Sequence, residues 1–205
     1  RDMKINTAST PSHTARVDVS IVVCVHNEGR LFHHTLKSIQ RAIDFANRHG
    51  IRTELIIVAD SIDSATRHYF KNCGNILDNI NHLFEEVSYR DLGSSRNHGV
   101  MRAHAPILTV IDGDDLMCEN WIVSGLKTIK NSRTPVVVHP EYAFFFGARD
   151  LLWKMYPSPS SHYSHRNSVE INYYCAHMMT ATSILKETPY KRTSVSESFG
   201  FEDWL

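Results

Sequence analysis

The chain has 205 residues, enough for one domain with a substantial core, and its 22 Lys plus Arg balance 22 Asp plus Glu to no net charge. That balance argues against a general nucleic-acid binder, which carries a basic excess. No apolar run approaches the ~18–20 residues that span a bilayer, and peripheral membrane association stays open.

Residues 1–16 are rich in Thr, Ser and Pro, have no signal-peptide core, and read as a flexible lead-in to one domain over 17–205. Val17–Val25, with Ile21-Val22-Val23, reads as an apolar strand. A helix is expected from near Glu28, because Phe32, Leu36, Ile39, Ile43 and Ala46 recur at helical spacing, and Gly50 ends it. Glu54–Ala59 is a second strand running into Asp60, followed by a helix from about Asp63 to Asn72. Ile80–Val87 is a third apolar stretch, and a helix through Arg96–His104 follows. Pro106–Ile111 is uncharged and β-branched, a strand that delivers Asp112-Gly113-Asp114-Asp115. Asn120–Asn131 carries Ile122, Leu126 and Ile129 on one helical face. After Pro135 the pattern changes. Val136–Val138 and Tyr142–Phe146 are predicted as strands, a hairpin away from the main sheet, and Ser158–Val169 as a polar loop. Met178–Leu185 is a further apolar segment. Gly200–Leu205 reads as a helix start without a stop signal, so the domain is expected to continue beyond it.

This alternation predicts an α/β fold, a mostly parallel sheet flanked by helices. Loops after its strands gather along one edge: Val25–Glu28, Asp60–Asp63 and Asp112–Asp115. In open α/β sheets that edge binds ligands.

The acidic cluster has two readings. Asp and Gly dominate tight turns, but two carboxylates one residue apart can also reach one hard divalent cation. A calcium loop is disfavoured, since position 116 is Leu. Asp60 is either a turn residue or an acceptor for a base or ribose donor. Arg96 follows Gly93-Ser94-Ser95 at a helix start, where free N–H groups and a cation suit an anion. Glu202-Asp203 lies between Phe201 and Trp204, a setting for a partly desolvated general base. GxGxxG and P-loop patterns are missing, which disfavours dinucleotide oxidoreductases and P-loop NTPases. The four cysteines at 24, 73, 118 and 175 have no metal-ligand spacing. With the lack of N-x-[ST] acceptors, they fit free thiols in a reducing cytoplasm.

Taken together these residues resemble the family 2 glycosyltransferases of the GT-A fold. Ser20–Glu28 is similar to the family's opening strand and its "VxxYNE" end, and Glu54–Asp60 to the "ELIIVDD" strand. Asp91–Gly99 is similar to the "GxSxARNxG" helix start, Val110–Asp115 to "LDxDD", and Gly200–Trp204 to the late "ED" motif. The resemblance implies a Rossmann-like sheet with a smaller acceptor-side β region. It also implies inverting transfer of a sugar from a nucleotide sugar, a UDP-sugar first, to a glycan, lipid-linked or other hydroxyl acceptor. Mn²⁺ or Mg²⁺ would be the cofactor, and the inner face of the membrane a location beside the cytoplasm. Val25, His26, Glu28, Asp60, Arg96, Asp112 and Gly113 would bind the nucleotide sugar, Asp114 and Asp112 the metal, and Asp203 would be the base. Cys24, His26, Ala59 and Ser61 depart from the family's frequent Pro, Tyr, Asp and Gly, which weakens the assignment of the base as uracil. Two alternatives stay open. One is a nucleotidyltransferase, disfavoured by an acidic first loop, and the other a catalytically silent sugar-nucleotide-binding domain.

Overall fold

The computed structural model describes residues 16–72, 74–145, 150–158, 160–162, 164 and 173–192. Their elements are β1 (Val19–Val25), α1 (Phe32–Arg48), β2 (Thr53–Asp60), α2 (Ser64–Asn72), α3 (Gly74–Leu77), β3 (His82–Val87) and α4 (Leu92–Arg102). β4 (Ile107–Asp112), α5 (Trp121–Asn131), β5 (Tyr142–Phe145), β6 (Leu151–Lys154), β7 (Met178–Ala181) and α6 (Thr182–Glu187) follow.

Five strands form the main sheet in the order β3-β2-β1-β4-β7. β1 pairs in parallel with β2 and β4, and β2 with β3, while β7 runs antiparallel to β4. β1 and β2 are buried along their whole length, as near-continuous apolar strands are when helices cover both faces. Side-chain alternation divides the core. Ile21, Val23 and Val25 pack with Phe32, Leu36 and Ile39 of α1 and Ile122 and Leu126 of α5. Val22 and Cys24 pack with Ile56, Val58, Val100 of α4 and Leu185 of α6. From β1 the chain moves outward through β2 and β3, then returns to place β4 on the other side of β1. This reversal makes the carboxyl ends of β1 and β4 the topological switch point at which open α/β sheets bind ligands, and there Cys24 pairs with Asp112 and Val25 with Ala59.

The predicted sheet and its flanking helices are thus observed, with several corrections. α1 starts at Phe32 rather than near Glu28, because Gly29 takes φ +54° and breaks the helical path. α4 starts four residues before Arg96, because the Asp91 carboxylate caps it by accepting from the Ser94 N–H at 2.7 Å. Val136–Val138 is no strand. Only Val138 bridges to Met179, and the partner of Tyr142–Phe145 is instead Leu151–Lys154. Phe146, most of Ser158–Val169 and all of Gly200–Leu205, Asp203 included, lie outside the described residues.

α4 approaches the sheet through Gly99. A Cβ there would collide with Val22 Cγ1 and stand 3.3 Å from Val58 Cγ2. Both neighbours are β-branched and cannot swing away. Gly99→Ala is therefore expected to destabilise the fold by about 1–3 kcal/mol. Denaturant unfolding measures this, and a midpoint unchanged from the parent would contradict the close helix–sheet contact.

Candidate functional site

At the end of β1, Val25 is buried and His26 turns its ring toward β2. His26 Nδ1 donates to the Asp60 carbonyl at 2.6 Å, and Nε2 accepts from Asn27 Nδ2 at 2.9 Å. A carbonyl can only accept, which fixes this tautomer. Asn27 Oδ1 in turn accepts the Asp63 N–H at 2.9 Å, tying the first loop to the start of α2. The His26 N–H donates to Glu28 Oε2 at 2.6 Å. Burial pushes the Glu28 carboxyl up, bonds to the backbone N–H groups of Glu28 and His26 oppose the rise, and the Asp114 charge adds to it.

Asp60 ends β2, and its carboxylate is a hub. Oδ1 accepts from the Arg90 N–H at 3.0 Å and the Ser61 hydroxyl at 2.9 Å. Oδ2 accepts from the Asp91 N–H at 3.2 Å and the Ser95 hydroxyl at 2.8 Å. Burial alone would raise this acid, but the donors outweigh it and hold it below the usual range. Ser61 and Arg90 both have positive φ, 52° and 54°, a conformation that costs non-glycine residues about 1–3 kcal/mol. Asp60 holds both in place. A carboxylate offers about four lone-pair sites, so a nucleobase contact would have to displace one of these partners.

α4 brings Arg96 to the acidic cluster. The side chain is 1% exposed, and Nη2 donates to both oxygens of Asp112, at 2.8 and 3.0 Å. Its guanidinium lies 5.2 Å from the centroid of the Tyr190 ring. Tyr190 is itself fixed by Asn97, which donates to its carbonyl at 2.7 Å and accepts from its N–H at 2.9 Å. Arg96 is thus packed under the last described segment and bound to Asp112.

The turn Gly113–Asp115 leaves Asp114 and Asp115 at the surface. Partial loss of solvent around its carboxyl, with the charges of Asp112 and Asp114, raises Asp115 to about 6 against the pull of Arg96. Uncompensated negative charge is what a divalent cation would relieve. Among the described residues no group of three His, Cys, Asp or Glu encloses a metal. Mg²⁺-like ions bound with phosphates use one or two carboxylates, however, and Asp114 with its neighbours fits that donor set.

Sequence reasoning missed the residues that hold this turn. Thr35 and Ser38 of α1 are fully buried. The Thr35 hydroxyl donates to the Gly113 carbonyl at 2.9 Å, and Ser38 Oγ accepts the Met117 N–H at 2.9 Å. The available signal was two hydroxyls three residues apart, inside the apolar stripe of α1. Tyr190 was missed as well, and nothing in its local sequence marks it.

Beyond β4, His177 is buried with its ring 4.4 Å from that of Trp121. Burial, then the nearby His139, push its pKa down to about 3. An unfolded imidazole titrates near 6.5, so the contribution of His177 to stability is full above that pH and is lost as pH falls. Between pH 7.5 and 5 the fold is expected to lose about 2 kcal/mol on this account. His177→Phe should flatten that part of the profile in urea titrations, and an unchanged slope would refute the assignment.

Two of three comparisons find relatives. The family model described as glycosyl transferase family 2 matches residues 20–190. No curated protein matches the chain. Among solved structures, TarS 1–349 from S. aureus matches with TM-score 0.66 and 16% identity over 92% of this chain and 53% of that one. The same TarS fragment, solved in complex with UDP-GlcNAc, gives TM-score 0.63 and 15% identity over 86% and 49%. The mannosyltransferase PcManGT from Pyrobaculum calidifontis, solved with GDP-Man and Mn²⁺, gives TM-score 0.61 and 14% identity over 87% and 48%. The chain therefore spans about half the length of these three solved chains. At such identities they establish the fold, a GT-A-like α/β sheet with a small second sheet.

Proposed function

The chain belongs to glycosyl transferase family 2, and from that membership we propose that it transfers a sugar from a nucleotide sugar to a hydroxyl acceptor, with inversion, at the Asp112–Asp115 turn. The observation that carries the proposal is the convergence of three strand ends along one edge of the sheet: Val25 and His26, Asp60, and the acidic turn. The nucleoside end is assigned to Val25, His26, Glu28 and the Arg90–Asp91 backbone that Asp60 holds. Asp112 and Gly113 border the diphosphate, with Arg96 fixing Asp112. A divalent cation, Mn²⁺ or Mg²⁺, would be held by Asp114 with Asp112 beside it, and when bound would neutralise charge developing on the diphosphate.

The reaction is a single displacement. Asp203 removes the acceptor's hydroxyl proton, the acceptor oxygen bonds to the sugar's anomeric carbon, and the carbon–oxygen bond to the diphosphate breaks on the opposite face. A nucleoside diphosphate leaves and the anomeric centre inverts. UDP-sugars are the first candidate donor, since TarS was solved with UDP-GlcNAc. GDP-sugars are the next, on the PcManGT complex. The acceptor is a glycan, a lipid-linked saccharide or another hydroxyl compound. We assign the reaction to the cytoplasm, the inner membrane face included. The free thiols of Cys24, Cys118 and Cys175 support this, and no described helix is long and apolar enough to cross a membrane.

A thermal-shift panel of UDP-, GDP- and dTDP-sugars with and without Mn²⁺ tests the reading. At least one donor should raise the melting temperature, and a flat response across the panel would favour a silent domain instead. Asp203→Asn should keep that donor response and lower transfer by about 10²–10⁴-fold, the range for a lost general base. Unchanged turnover would remove Asp203 from the mechanism.

A further inference from the structure

The acidic turn follows the sheet with no regular element of its own, and its three carboxylates repel one another. It is fitted closely to the end of β1 and to the first loop, since a Cβ on Gly113 would stand 2.8 Å from the Cys24 carbonyl oxygen and 3.2 Å from Glu28 Cδ. From the side it is gripped by α1. Thr35 Oγ1 donates to the Gly113 carbonyl at 2.9 Å, and the Met117 N–H donates to Ser38 Oγ at 2.9 Å. The Ser38 hydroxyl in turn donates to the Thr35 carbonyl at 2.7 Å, which closes the chain. These bonds bracket Asp114 and Asp115 from the residue before them to the second residue after. All three are buried, so water cannot replace a missing partner. Thr35 and Ser38 occupy one face of α1, spaced i and i+3, on a helix anchored by Phe32, Leu36 and Ile39.

We propose that Thr35 and Ser38 are positioning residues for the cation, a rigid brace that holds the Asp114 carboxylate in place against repulsion within the turn. The inference rests on the metal reading above and goes beyond it by assigning the cation's affinity partly to α1. A carboxylate on an unbraced turn must be ordered when the ion binds, and outer hydrogen-bond partners of metal ligands typically contribute about 10–100-fold in metal affinity.

The test is a Mn²⁺ titration of the melting-temperature gain in the presence of UDP and, separately, of GDP. Ser38→Ala and Thr35→Val remove one hydroxyl each, and Thr35→Ser retains it. Half-saturating Mn²⁺ should rise about 10–100-fold in the first two and return toward the parent value in Thr35→Ser. If the metal-free melting temperature falls but half-saturating Mn²⁺ stays at the parent value, the hydroxyls serve the fold alone and the proposal is overturned. Should Thr35→Val not fold, Ser38→Ala decides between the same two outcomes. A parent protein with no Mn²⁺-dependent gain would instead overturn the metal reading itself, and the brace with it.

Discussion

Asp114→Ala is expected to abolish the Mn²⁺-dependent part of nucleotide binding while leaving the free protein as stable as the parent. Asp112 is engaged by Arg96 through both carboxylate oxygens, so it alone cannot swing freely to a metal. Asp114 is exposed at the crest of the turn and follows Gly113, whose carbonyl Thr35 holds. A ligand at a hundred times its dissociation constant stabilises a fold by about 2.7 kcal/mol. For a chain of this size that corresponds to a gain of about 5–10 °C. The parent protein with Mn²⁺ and its nucleoside diphosphate should show that gain, and Asp114→Ala should not. Equal gains in the two proteins would remove Asp114 as the anchor.

The second large effect is expected at Arg96. Arg96→Met keeps much of the side-chain volume but leaves Asp112 without its cation and Tyr190 without its stacked guanidinium. Removing one member of a buried ion pair typically costs about 3–5 kcal/mol. A quarter of the Asp112 side chain remains in contact with water, so the loss should lie near the lower end, about 3 kcal/mol. Adding Asp112→Asn to Arg96→Met should recover part of it, because the stranded charge is then gone. The double-mutant cycle measures the coupling. Strictly additive losses would mean that the pair contributes little beyond its packing. Arg96→Lys should fall between, since an ammonium keeps the charge but has no delocalised plane to set over the Tyr190 ring.

What the sequence disclosed follows from how local each signal is. β1, β2 and β4 are continuous apolar runs because both of their faces are covered, and their carboxyl ends could be read to within a residue or two. The stripe Phe32, Leu36, Ile39, Ile43 and Ala46 is buried as its spacing predicts. Val136–Val138 misled because three β-branched residues look like a strand wherever they occur, while pairing depends on a neighbour, here a single bridge at Met179. Leu151–Lys154 was invisible for the opposite reason, since four residues without alternation carry no periodicity. At the site, Asp60 and Asp112 stood out as acids at strand ends. The pairing of Asp60 with its distant partners did not, because Arg90, Asp91 and Ser95 lie 30 to 35 positions from it. Thr35 reaches across 78 positions to Gly113. Separations of that kind are set by the sheet's topology and leave no mark on the residues between.

Three consecutive residues of α4 each hold a different distant part of the chain. Ser95 holds β2 through Asp60, Arg96 holds β4 through Asp112, and Asn97 holds the segment after α6 through Tyr190. One helical turn is thereby a junction of three otherwise separate routes. It cannot be complete until β2, β4 and the segment around Tyr190 have all come together, which makes it a late and cooperative piece of assembly. The same junction makes the inheritance of substitutions interdependent. A change tolerated at Tyr190 in one background will be judged differently once Ser95 or Asp112 has altered, so variants around this turn will accumulate in sets rather than singly.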